Sequence, residues 1–111
     1  MAVYLDKSRN SLRVDGYRPM VTCHMIADGV EELIDFAKRL GMSPSWFQPW
    51  SHPHFDVNLT RQKVAVQLGA IVLERKPFVL KMREYRTRVM NDPAEAQALW
   101  EMTKRFGGSR S

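Results

Sequence analysis

The chain predicts a small α/β domain: a three- to four-stranded, mostly parallel sheet with flanking helices, closed by a C-terminal helical hairpin. Three observations carry this. Short β-branched and aromatic runs alternate with longer segments of helical periodicity. Those segments are bracketed by capping residues and stop glycines. The last third changes character, with two helical stripes and most of the basic charge.

Each element follows from its residues. Residues 2–5 are apolar and partly β-branched, and read as a strand ending at Asp6. The polar stretch 7–18, with its Asp15-Gly16 turn signal, reads as a loop or hairpin connection. Residues 20–26 form the clearest strand, with Val21, Cys23 and Met25 on one face and Thr22, His24 and Ile26 on the other. Asp28 as N-cap with Glu31 three residues on opens a helix. Val30, Leu33, Phe36, Ala37 and Leu40 recur along it, and Gly41 ends it.

Residues 43–53 read as loop and 54–57 as a short strand. Asn58 or Thr60 caps a second helix carrying Val64, Ala65 and Leu68, which stops at Gly69 before an apolar run at 70–74. Pro77 marks a third helix with Phe78, Met82, Tyr85 and Val89 on one stripe. Asp92-Pro93-Ala94-Glu95 starts a fourth with Leu99, Met102 and Phe106, which stops at Gly107-Gly108. Residues 109–111 are expected to fray.

At 111 residues the chain suffices for one domain with a real core. Its organisation is read as an α/β core over 1–74 and a basic helical pair over 75–108, packed on the core or used in self-association as a homodimer. The apolar fraction of 44% and charged fraction of 26% are those of a soluble globular protein. A single cysteine excludes an intramolecular disulfide. With no signal-type or membrane-spanning apolar stretch, the expectation is a cytoplasmic protein without membrane contact. Residues 1–74 balance eight Lys/Arg against eight Asp/Glu, so the net +5 resides from Arg75 onward. Such an excess favours anionic partners, although a solvated basic helix pair explains it as well.

Chemistry concentrates in Trp46-Phe47-Gln48-Pro49-Trp50-Ser51-His52-Pro53-His54-Phe55-Asp56. If the strands are parallel, Asp6, Asp28 and Asp56 converge near His24 and His54 at one sheet edge. Converging carboxylates and imidazoles bind a divalent ion or supply general acid/base groups. His52-x-His54-x-Asp56 projects three side chains to one face of a strand. Pro53 loosens that geometry, so no metal ligand is assigned. Trp46, Phe47 and Trp50 are rings for stacking a base or for packing the loop down. Gln48 between them is an amide suited to reading a base or sugar edge. Arg61 and Arg18 are bidentate donors for phosphate. Cys23 reads as a core residue. Phosphate-loop, Cys-x-x-Cys, Gly-x-Ser-x-Gly and His-Glu-x-x-His motifs do not occur.

Taken together, Tyr4-Leu5-Asp6, Cys23-His24-Met25-Ile26-Ala27-Asp28, Glu32-Leu33, Phe36-Ala37, Leu40-Gly41, Trp46-Phe47-Gln48, His54-Phe55-Asp56, Arg61, Ala65 and Gly69-Ala70 resemble the domain-of-unknown-function family 4031, small proteins of bacteria and phages. The resemblance spans roughly 3–74. It implies that Asp6, His24, Asp28, Gln48, His54, Asp56 and Arg61 belong to the shared pattern, and it carries no activity. Ile34 stands where a histidine often follows Glu-Leu in related sequences.

The leading expectation is a binding protein for a phosphorylated, nucleotide-like small molecule, sequestering a signalling nucleotide in a phage setting. Asp6, His24, Trp46, Phe47, Gln48, His54, Asp56 and Arg61 would bind it, with no cofactor assigned. The alternatives are a metal-dependent phosphoester or nucleotide hydrolase using the same His and Asp groups, and a nucleic-acid or protein interaction module built on the basic C-terminal helices.

Overall fold

A computed structural model describes residues 2–7, 10–12, 20–49 and 52–107. The Asp15-Gly16 turn, Arg18, Trp50 and the expected fraying at 109–111 lie outside the described residues. The elements run β1 (Val3–Asp6), β2 (Asn10–Leu12), β3 (Met20–Ala27), α1 (Val30–Arg39), a 3₁₀ turn (Pro44–Trp46), β4 (Phe55–Asn58), α2 (Leu59–Gln67), β5 (Ile71–Leu73), α3 (Arg75–Asn91) and α4 (Pro93–Phe106). This is the expected α/β class, with the C-terminal helical pair in place.

The sheet differs in strand direction. Only β1 and β5 pair in parallel; β1 with β3, β2 with β3, and β3 with β4 are antiparallel. The mostly parallel expectation is corrected for a topological reason. Among the described residues the connection from β1 to β3 holds the strand β2 and no helix, and β3 returns beside β1 in the opposite direction, as a hairpin-type connection allows. Part of the polar stretch read as loop is the strand β2. Met25 is in register with both Leu5 and Phe55, and Thr22 with both Asn10 and Asn58. β1 and β2 therefore lie end to end along one edge of β3 with β4 on the other, and the five strands make a sheet four ranks wide.

Alternation sorts the two faces. Val3, Leu5, Cys23, Met25, Phe55 and Val57 form one face of the main core, against Val30, Leu33, Ile34 and Ala37 of α1 and Ala65 of α2. The opposite face carries Tyr4 and Ile26, covered by Phe78 of α3. Tyr85, two turns further along α3, reaches the main core, where Leu99, Met102 and Phe106 of α4 also pack. The α3 helix thus ties both faces together, while α4 lies against α1.

The stops of α1 and α2 and the starts of α2 and α4 follow the local chemistry. Gly41 (φ 76°) and Gly69 (φ 104°) take the left-handed conformation that stops α1 and α2. Asn58 caps α2 by accepting from the Arg61 amide at 2.9 Å, and Asp92 caps α4 by accepting from the Ala94 amide at 3.0 Å. At α1 the expected cap fails. Gly29 is the N-cap residue, and the Asp28 carboxylate instead accepts from the Ala2 amide at 2.8 Å and the Tyr4 hydroxyl at 3.0 Å. The Val30 amide is satisfied from across the fold, donating to Glu95 Oε1 of α4 at 2.9 Å.

Candidate metal centre

The site grows from the β3–β4 pairing. His24 stands directly opposite Asp56 in the ladder, so both side chains rise on the same face, the one α3 covers in part. Two residues before Asp56, His54 points the same way. Its backbone exchanges a pair of 3.0 Å hydrogen bonds with Gln48, which extends the ladder beyond β4. Continuing the β1–β3 register past Leu5 and Met25 sets Asp6 level with His24 on the same face.

All three histidines of the chain gather here. The His24 and His54 rings are 4.8 Å apart, His54 and His52 4.6 Å, and His24 and His52 5.9 Å between centroids. Asp56 Oδ1 lies 3.5 Å from His24 Nε2 and 3.9 Å from His54 Nε2. Its other oxygen accepts a 2.7 Å hydrogen bond from Gln48 Nε2. Gln48 thereby fixes the carboxylate plane and leaves Oδ1 turned to the imidazoles.

The protonation of His54 follows from its partners. Nδ1 lies 2.9 Å from the His52 carbonyl oxygen, which only accepts, so Nδ1 carries the proton and donates. Burial, with the neighbouring His24, holds the His54 pKa below its ordinary value, so the ring is neutral near pH 7 and Nε2 presents a lone pair. A lone pair and a carboxylate oxygen then face each other, two acceptors with no hydrogen between them.

A cation placed between them would resolve that conflict. Ligand atoms about 2.0–2.1 Å from a tetrahedral ion sit about 3.3 Å from one another, close to the 3.5 and 3.9 Å separations here. Among the described residues, His24, His54 and Asp56 form the one group of three whose ligand atoms have metal-binding proximity, all within 4.8 Å. His54 is nearly closed off, while the His24 and Asp56 side chains retain 33% and 23% exposure, which leaves a solvent-facing side for further ligands.

His52 borders this set. Burial first, then the charges of His54, His24 and Arg86, push its pKa down to about 4. It lines a hollow of about 100 Å³ with Pro49, Pro53, Met82, Tyr85 and Arg86. His52 and Arg86 were not among the expected site residues. The His-x-His-x-Asp spacing was the available signal for His52; nothing local pointed to Arg86.

The eight expected ligand-binding residues separate. His24, Gln48, His54 and Asp56 converge. Asp6 is buried at the end of β1, with Oδ2 3.9 Å from Arg75 Nη1. Phe47 is 1% exposed and packs against Phe55 at 5.7 Å between centroids, so its ring has no face left for a base. Trp46 is half exposed, with the Arg61 guanidinium 5.5 Å above its ring. Arg61 also donates from Nε to the Leu40 carbonyl at 3.3 Å. That pair belongs with α1 and α2, across the sheet from His24 and Asp56. Cys23 is in the core, facing away from the site.

Comparison with known proteins adds a family. The model of a protein-of-unknown-function family, DUF4031, matches residues 3–85, from β1 through Tyr85 of α3. No curated protein and no solved structure matches the chain.

Proposed function

Since the chain belongs to the DUF4031 family, whose description names no activity, we propose its function from the site: a metal-dependent hydrolase acting on phosphoesters. The observation that carries this is Asp56 Oδ1, held between His24 Nε2 and the lone pair of His54 Nε2. Two imidazoles and a carboxylate suit a divalent transition ion such as zinc or manganese. The Nδ1 bond of His54 and the Gln48 bond to Asp56 are the outer contacts that orient metal ligands. A divalent ion there supplies a Lewis acid and makes a water nucleophilic at neutral pH. In the hydrolysis, water adds to phosphorus and one P–O bond forms. The ester P–O bond breaks, and the proton lost by water ends on the departing alkoxide, with no net redox change.

The test is thermal unfolding with Zn²⁺ or Mn²⁺, followed by turnover of bis(p-nitrophenyl) phosphate. At an ion concentration of 100 times Kd the wild type should gain about 2.7 kcal/mol. Asp56→Asn and His54→Gln should lose the gain, and Gln48→Leu should weaken ion affinity about 10- to 100-fold. An equal metal response in Asp56→Asn and wild type refutes the metal centre. Metal binding without turnover refutes the hydrolase and leaves a binding site.

A second reading, capture of a nucleotide-like small molecule without turnover, has support from the half-exposed Trp46 beside Arg61. Nucleotide-induced stabilisation in EDTA that disappears in Trp46→Ala selects it.

A further inference from the structure

We infer that the flank of α3 facing the histidine cluster binds the phosphodiester backbone of a single nucleic-acid strand, which makes that polymer the substrate class of the site. This rests on the metal-dependent reading above. Two contacts orient the flank: Arg75 reaches Asp6 at 3.9 Å, and Arg86 lines the hollow that His52 shares. Arg75 and Arg86 are about three turns apart and so lie on one side of the helix. Lys76 and Arg83, about two turns apart, lie on the adjoining outer strip, and both are exposed.

This side of α3 carries no carboxylate. Glu84 lies on the other flank, bound to Lys81 at 3.3 Å, and Glu74 at the helix start is held by Lys7 at 2.8 Å. Among the described residues no ion pair joins Lys76 or Arg83 to an acid. The row from Arg75 to Arg86 runs about 16 Å along the helix. One phosphate group cannot span that length, whereas successive phosphates of a strand can. A flexible single strand also reaches the partly closed His24–Asp56 recess more readily than a rigid duplex.

The experiment is fluorescence anisotropy of the full chain with labelled single-stranded DNA and RNA oligonucleotides in EDTA. Four phosphate contacts predict a loss of affinity of about 50-fold between 50 and 200 mM salt. In the Lys76→Ala/Arg83→Ala double variant that loss should shrink to about sevenfold. Lys104→Ala/Arg105→Ala on α4, which removes the same charge, should keep the wild-type salt response. Equal weakening by the two double variants, or equal affinity for polyglutamate, overturns the proposal. Because binding is read in EDTA, its loss counts against the basic flank alone. Retained binding without any metal response supports the strand interface while sinking the metal centre.

Discussion

His52 shows how one ring reports on its surroundings. Its carbonyl fixes the tautomer of His54, and its own ring is kept neutral by burial, with a pKa near 4 in place of 6.5. The unfolded chain therefore binds more protons than the folded one between those values. The resulting stabilisation is fully present above about pH 6.5 and is lost as pH falls through about 4. Burial lowers the His54 pKa as well, which adds to the slope in the same direction. Urea unfolding at pH 7, 5 and 4 should show falling stability, with a shallower slope in His52→Gln. Identical slopes in the two proteins would falsify the assignment. At this scale the sequence displayed the spacing of the three polar groups from His52 to Asp56. It did not display which nitrogen carries the proton, because that depends on a carbonyl brought round by the bend at His52.

Among the elements, α1 is the most informative. Its apolar face and its stop at Gly41 were legible, since each depends on residues within a turn or two. Its cap was not. Asp28 was expected to serve and instead anchors the start of β1, while Glu95 supplies the oxygen from 65 positions away. Glu95→Ala should therefore cost about 1 kcal/mol, the usual worth of a cap, although the residue lies in another helix. Unchanged denaturant unfolding of this variant would show that water serves the Val30 amide equally well. Strand direction was misjudged for a related reason. Alternation identifies a strand and its faces, but pairing direction depends on whether the connection is a hairpin or a crossover. The 7–18 stretch gave no periodic signal to decide that.

In the whole molecule, the loop before β4 divides its aromatic residues between structure and surface. Phe47 is sealed in the core beside Phe55, while its neighbour Trp46 stays half exposed under Arg61. Phe47→Ala should cost about 3–5 kcal/mol and lower the melting temperature sharply. Trp46→Ala should change stability by about 1 kcal/mol or less, in line with other exposed substitutions. Similar melting losses in the two variants would remove this distinction, and with it the argument that Trp46, rather than Phe47, is open to a ligand. The expected pocket of eight residues comes apart on the same division. Trp46 and Arg61 end on the α1–α2 side, Phe47 goes inside, and four polar residues remain on the α3 side. By itself the sequence determined the class of the fold, the extent of its helices, the cap at Asp92, the stops at Gly41 and Gly69, and the inventory of polar groups near Asp56. These rest on short-range periodicity and backbone chemistry, which a linear chain displays. Only the tertiary structure decided that His24 meets Asp56, that Gln48 turns one carboxylate oxygen toward the imidazoles, and that the basic side of α3 lies beside them. Such meetings are set by strand register and helix packing between distant segments, and local chemistry does not encode them in readable form.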